Sequence, residues 1–368
     1  MKSLLKLLTV SLSVGALATG CSKSASFSLL SDTASFTQNS AAINGKIDIL
    51  FVIDNSGSMA SSQQKLADNL TSFFDKFDQK GFDYQIAVTT SDAYRVNFGG
   101  AATMAQYRDG TNATSHSGVF VVTPSTPNKL NVFKTNVLEG TSGSGDERVM
   151  SSFEAALSSS QNSAFGFPRA DAFFSIIMVS DADDLSATVS SSIDTSANGP
   201  YGSAPHMAMY SSSSIIPVQH FMDYLDLKTG ANNTNRSSKY NVNSIGVRDA
   251  ACEVAGENGK HGDRMAQLSM MTGGIVGSLC DPFGTTLADI SYKIIELRTR
   301  FYLDRQLDPN TLHVYVNGVD VPRVTDATPA PQNGFYYNAS DNSVSFRGTA
   351  VPGPGASISV SYDPTSIK

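Results

Sequence analysis

A chain of 368 residues can hold one large domain and a smaller module, and 40% hydrophobic residues with a mean hydropathy of -0.12 describe a globular rather than a membrane-embedded chain. A formal charge of -7 excludes attraction to nucleic acid or anionic lipid by charge alone. Beyond the N-terminus no stretch is long and apolar enough to cross a membrane.

The chain begins with a positive Met1-Lys2-Ser3 and Lys6, followed by a short apolar run from Leu7 to Leu17 and the small residues Ala18-Thr19-Gly20 before Cys21. This is the pattern of a bacterial secretory signal over residues 1–20. It resembles a lipoprotein box with Cys21 as the acylated residue, which implies a lipid-anchored protein of the bacterial envelope, and Ser22 after it favours the outer membrane. Loss of Lys2 and Lys6 with the leader takes the charge from -7 to -9. Residues 21–44, rich in Ser and Ala, read as a tether from the lipid.

Asp48-Ile49-Leu50-Phe51-Val52-Ile53 is an apolar run suited to a strand buried on both faces, and it ends in Asp54-Asn55-Ser56-Gly57-Ser58. One carboxylate and two hydroxyls at the C-terminal end of such a strand are hard oxygen donors, suited to Mg²⁺ or Mn²⁺ but too few to fill the shell. The competing reading is an Asx turn capping the next helix. Met59, Leu66, Leu70, Phe73, Phe74 and Phe77 then recur at helical spacing.

Strand and helix patterns alternate from there, which calls for a parallel sheet. Strands are expected at 84–90, 118–122, 174–181, 244–247 and 275–280, with helices after Glu147, over 220–227, over 265–271 and from Leu287 to Leu297. With the first strand these make six, and the fold class is α/β, a doubly wound, Rossmann-like sheet spanning 45–302. Two insertions, 91–117 and the Ser-rich 182–215, leave strands at the rim that carries Asp54, where long loops are commonly functional. Asp183 and Asp184 read as solvated acids of that rim or as ligands of a second ion such as Ca²⁺.

Asp54, Ser56 and Ser58, with the later strand Phe174-Ser175-Ile176-Ile177-Met178-Val179-Ser180-Asp181, resemble the von Willebrand factor type A (vWA) domain. The resemblance implies a metal-ion-dependent adhesion site in which Asp54, Ser56 and Ser58 form the first loop and Asp181 acts directly or through water. It also implies a Thr from an intervening loop. Here Thr141 is the candidate, with Ser144 and Glu147 as alternatives; Glu147 equally suits a helix start. One divalent cation is implied, Mg²⁺ first, with Mn²⁺ or Ca²⁺ as alternatives.

With Cys21 lipidated, Cys252 and Cys280 remain as an even pair in an oxidising compartment, and a disulfide between them is expected. Beyond residue 302 the pattern changes: strands at 311–316 and 319–321 flank Asn317-Gly318, a hairpin signal, and more follow at 335–337, 343–346 and 357–362. Residues 303–368 read as a small β-sandwich-like module with its aromatics in the core.

No Gly-x-Ser-x-Gly elbow, His-Glu-x-x-His, P-loop or Gly-x-Gly-x-x-Gly is present, and the five His residues are scattered. The expected function is metal-dependent binding or adhesion to a protein partner that presents an Asp or Glu carboxylate, not catalysis. The alternatives are an assembly protein of the envelope with a purely stabilising ion, and a metal-dependent hydrolase. Membrane contact is expected through the lipid anchor only, and none with nucleic acid.

Overall fold

The computed structural model describes residues 32–36, 45–111, 115–192, 213–254, 261–325 and 332–365. The leader, Cys21, most of the tether stretch and residues 193–212 of the second insertion lie outside them. Among the described residues no helix is long and apolar enough to cross a membrane.

A short strand β1 (Asp32–Phe36) precedes β2 (Lys46–Ile53), which leads through the Asp54 loop into helices α1 (Ala60–Asp68) and α2 (Leu70–Lys80). All six apolar residues expected on one helical face are buried. They belong to two helices rather than one, because the Asn69 side chain donates to the Lys65 carbonyl at 2.8 Å and competes with the helical ladder. There follow β3 (Asp83–Thr90), β4 (Val121–Val122), α3 (Lys129–Val137), α4 (Val149–Ser158) and β5 (Phe173–Val179). After the second insertion come α5 (Val218–Thr229), β6 (Tyr240–Gly246), α6 (Asp263–Met271), β7 (Val276–Ser278) and α7 (Phe283–Arg298).

The central sheet has six strands in the order β4-β3-β2-β5-β6-β7. It is parallel except for β4, expected as a longer strand, which is a two-residue antiparallel edge on β3. Side chains alternate between two cores. Ile47, Ile49, Phe51 and Ile53 face α1, α2, α3 and α7, where Phe51 meets Phe73 edge-on at 5.4 Å. Leu50 and Val52 face α4, α5 and α6. Burial on both faces explains why β2 reads as a continuous apolar run.

Asp48 interrupts that run, fully buried near the start of β2. Arg169, just before β5, grips its Oδ1 through Nε and Nη2 at 2.9 and 2.7 Å, and reaches Asp83 at the start of β3 at 2.7 Å. One guanidinium thus clamps the N-terminal ends of three neighbouring strands. Burial raises the Asp48 carboxyl above its usual range, opposed by the bonds from Arg169.

The C-terminal strands are β8 (Phe301–Tyr302), β9 (His313–Val316), β10 (Val319–Asp320), β11 (Gly334–Asn338), β12 (Ser343–Arg347) and β13 (Ile358–Tyr362). They form two antiparallel sheets, β1-β13-β9-β10 and β8-β12-β11. β1 comes from within the stretch read as a tether, and β8 ends at residue 302, on the near side of the expected boundary, yet pairs with β12 of the module. Phe335, Tyr336, Phe346 and Tyr362 are buried, as core packing requires. Val314, Phe335, Val344, Phe346 and Val360 join the same core cluster as α2 and α7. Lys80, at the C-terminal end of α2, donates to the Val351 carbonyl at 2.9 Å. Crossover helices run antiparallel to their strands, so this contact lies where the strands begin, at the end of the sheet opposite the Asp54 loop.

Arg169→Met leaves the Asp48 carboxylate buried without its cation, so the free energy of unfolding in urea at pH 7 should fall by about 3–5 kcal/mol. The loss should shrink at pH 4, where the orphaned carboxyl is protonated.

Candidate functional site

The direction of the crossovers changes between β2 and β5, whose neighbours β3 and β6 lie on opposite sides. Open α/β sheets bind ligands outside the C-terminal ends of the strands at such a point. Asp54 follows β2 there, its N–H donating to the Val179 carbonyl at 2.9 Å, and Asp181 follows β5.

Asp54 is fully buried. Its Oδ1 accepts the Ser56 N–H at 2.8 Å and the Ser91 hydroxyl at 3.3 Å, and its Oδ2 accepts the Ser180 hydroxyl at 2.7 Å. The first contact is the expected Asx turn, but α1 begins only at Ala60, so Asp54 shapes the loop without capping the helix. Ser56 is buried, and its hydroxyl lies 3.4 Å from that of the exposed Ser58. Asp181 is 2% exposed and its charge acts on Asp54.

The loop 140–147 packs directly on this cluster. Gly143 donates to the Asn55 carbonyl at 2.8 Å, and a Cβ at Gly143 would stand 2.5 Å from the Asn55 side chain, so only glycine fits. Gln63 of α1, 2% exposed, locks the other side: its Nε2 donates to the carbonyls of Asp54 (2.9 Å) and Gly140 (2.8 Å), and its Oε1 accepts the Gly140 N–H at 3.1 Å. Thr141 itself is exposed. Ser144 turns toward its own loop, its hydroxyl accepting the Asp146 N–H at 3.1 Å. Glu147 is 7% exposed and interacts with Asp54, Asp181 and Ser56. It precedes α4, which starts at Val149, so it is not a residue of the helix's first turn.

Burial pushes the Asp54 carboxyl up to about 6 against the hydrogen bonds from Ser180 and Ser56, with the charge of Asp181 adding to the rise. Burial, with the charges of Asp54 and Asp181, pushes Glu147 up to about 8. At pH 7, then, Asp54 is largely ionised while Glu147 holds its proton. Neither forms an ion pair among the described residues, so a charge buried here has hydroxyls and peptide dipoles but no cation beside it. Among the described residues no group of three or more His, Cys, Asp and Glu side chains is arranged as a metal cluster. The donor set here is of another kind, hydroxyls mixed with carboxyls, which suits a hard cation.

Asp183 and Asp184 correct the expectation of solvated acids: they are 2% and 0% exposed. Asp183 Oδ1 accepts the Arg264 N–H at 3.0 Å in the first turn of α6. Asp184 Oδ1 accepts the Met150 N–H at 2.8 Å in the first turn of α4, and its Oδ2 pairs with Arg264 at 3.2 Å. Both cap helix N-termini. Ser91, Ser180 and Gln63 escape a reading by motif. Ser180 carried a signal, a hydroxyl ending an apolar strand beside Asp181, whereas Gln63 is one polar residue among several in its helix. Cys252 and Cys280 form the expected disulfide, away from this cluster, between the segment after β6 and the end of β7.

No family model matches the chain, and no curated protein does. Among solved structures, the pilus adhesin SpaC from Lactobacillus rhamnosus GG is similar at a TM-score of 0.40 and 12% identity, over 86% of this chain and 38% of that one. Proximal thread matrix protein 1 from the mussel byssus gives 0.38 and 13%, over 74% and 52%. The pilus adhesin RrgA from Streptococcus pneumoniae gives 0.34 and 9%, over 90% and 57%. One structure of the mussel protein has a zinc-occupied MIDAS motif. The chain spans 38% to 57% of the length of these three proteins. At such scores the functional argument rests on the site's own residues.

The raised carboxyls set a pH dependence for the cation-free chain. Asp54 and Glu147 keep protons in the fold that the unfolded chain, at 3.8 and 4.5, has released. Their stabilising contribution is full below about pH 4 and is lost as pH rises through 6 and then 8. In EDTA the melting temperature should therefore decline from about pH 4 to 8, and Asp54→Asn should flatten the early part of the decline, the part that is complete just above pH 6.

Proposed function

We propose that the chain is a binding protein of vWA type that holds a divalent cation at this rim, Mg²⁺ first and Mn²⁺ or Ca²⁺ as alternatives, and engages a protein partner through it. The observation that carries the reading is the burial of Asp54 and Asp181 at the switch point, with the buried Ser56 beside Asp54 and Ser58 exposed to solvent. Asp54, Ser56, Ser58 and Asp181 would hold the ion. From the third loop, Glu147 is better placed to join them than Thr141, which is exposed, or Ser144, which is engaged within its loop. When bound, the ion would supply a positive charge beside the buried Asp54 carboxylate and a Lewis-acid position for an Asp or Glu carboxylate of the partner.

The remaining residues orient this set. Ser180 and Ser91 hold the two oxygens of Asp54, while Gln63 and Gly143 keep the third loop against the first. The β module at the opposite end of the sheet shares its core with α2 and α7 and leaves the rim facing away from it. With lipidation at Cys21 in the bacterial envelope, the rim would face away from the anchored end, since β1, from within the stretch read as the tether, pairs with β13 of the module. The role assigned is recognition, not catalysis.

Calorimetric titration of Mg²⁺ and Mn²⁺ into the chain starting at Ser22 should give saturable binding that Asp54→Ala abolishes. Binding unchanged in that variant overturns the reading. Ser180→Ala removes only the hydroxyl that orients Asp54 and should weaken the same isotherm about 10- to 100-fold. If partner affinity persists in EDTA while Asp54→Ala lowers only the melting temperature, the ion is structural and the assembly alternative stands.

A further inference from the structure

Arg148 is fully buried, yet it belongs to neither hydrophobic core. A guanidinium has five N–H donors in a rigid fork, and here all five are spent. Nε and Nη2 donate to Asp146 Oδ2 at 3.1 and 2.8 Å. Nη1 donates to the carbonyls of Val189 at 2.6 Å and Ala187 at 3.4 Å, and Nη2 also donates to that of Ser191 at 3.0 Å. The plane stacks beside Tyr94 and Phe98, 4.8 and 5.5 Å from their ring centres. Tyr94 closes the circuit by donating its hydroxyl to the same Asp146 oxygen at 3.2 Å.

These partners come from three places. Tyr94 and Phe98 lie in the first insertion, in the short helical segment Ala93–Phe98. Ala187, Val189 and Ser191 lie in the second. Asp146 lies in the third loop of the proposed cation site, and Glu147, which interacts with Asp54 and Asp181, is the immediate neighbour of Arg148. The same three segments meet through the backbone as well. Ser144 N–H donates to Asp92 at 3.2 Å, and Leu185 N–H donates to the Glu147 carbonyl at 2.8 Å. The second insertion is pinned at its base by Thr188 N–H to the Ser214 carbonyl at 2.8 Å and Ile216 N–H to that of Ser186 at 2.9 Å. Between that base and the site, the Arg148 side chain touches both insertions.

We propose that Arg148 is a positioning residue that joins both inserted loops to the third loop of the cation site, so that cation binding orders the two loops together as one recognition surface. This rests on the proposed cation site. A shift of Glu147 on ion binding is passed to the adjacent Arg148 and from there to both insertions at once, because the fork cannot follow one partner without moving the others. Lysine keeps the charge but offers a single donor atom, which cannot span three carbonyls and a carboxylate.

Hydrogen exchange of the full chain, with and without Mn²⁺ and paired with calorimetry on the same samples, tests this. In the wild type, Mn²⁺ should slow exchange in 93–105 and in 185–192 by at least about fivefold. Arg148→Lys should bind Mn²⁺ within about threefold of wild type, as expected for a group that is no ligand, but lose the slowing in both loops while α1 keeps its own. Retained slowing in Arg148→Lys, or no slowing in a wild type that binds Mn²⁺, overturns the inference and leaves the cation site standing. Absence of binding heat in the wild type instead overturns the site, and the inference with it. Should Arg148→Lys fail to fold, Phe98→Ala removes only the partly exposed ring from the fork. It should reduce the slowing in 93–105 and spare 185–192, and unchanged slowing in both overturns the proposal.

Discussion

The pairing of β2 with β5 is the constraint on which the rest depends. Seven consecutive residues of each strand lie in parallel register, from Ile47 opposite Phe173 to Ile53 opposite Val179. Both strands are buried on both faces, so no shift of register is available that does not drive a whole set of side chains into the wrong core. That register brings the chain after Ile53 and the chain after Val179 together at one rim, and the Ser180 hydroxyl then reaches Asp54. At the other end Arg169 ties the starts of the same strands to Asp48 and Asp83. One end of the pair is neutralised by a cation that the chain carries itself; at the other, among the described residues, neither Asp54 nor Glu147 forms an ion pair.

Burying acids is costly, and the two ends answer that cost differently. Asp48 has a bidentate guanidinium, while Asp183 and Asp184 have helix N-termini and Arg264. Asp54 and Glu147 have hydroxyls, peptide N–H groups and each other. Dipoles soften the desolvation of a carboxylate but do not cancel it, which is why both carboxyls rise. Gln63, Gly143 and Ser180 hold the site in that condition, and the proposed cation would offset the cost.

The rim is further elaborated by insertions that are built into the fold and not hung from it. Tyr94 N–H bonds the Ser152 hydroxyl on α4 at 3.1 Å, and Arg148 draws both loops against the third. At the far end the β module shares a core with α2 and α7, so the chain after α7 is part of the same packed body. In the proposed function, recognition and attachment would fall at opposite ends of the sheet.

The local chemistry of the strands was legible in the sequence: continuous apolar runs, a helical period after Met59, Asn317-Gly318 between alternating residues, and hydroxyls and a carboxylate at the end of β2. Each of these depends on neighbours along the chain, and all six sheet strands were found where such runs lie, though the edge strand β4 is shorter and antiparallel. With Cys21 read as lipidated, the two remaining cysteines likewise pointed to Cys252–Cys280. What only the tertiary structure decided were matters of partnership across distance. Asp183 and Asp184 look solvated until α4 and α6 present their N-termini to them. Thr141 is the candidate and Glu147 only an alternative until the loop folds with Thr141 outside and Glu147 inside. A strand from residues 32–36 appears only when β13 offers its edge. Arg148 is one charged residue of an acidic, Gly-rich loop until a carboxylate oxygen and three carbonyls converge on it. Periodicity and composition carry the preferences of a residue for water or for its near neighbours; a buried charge is decided by which distant group meets it, and that information lies in the packing.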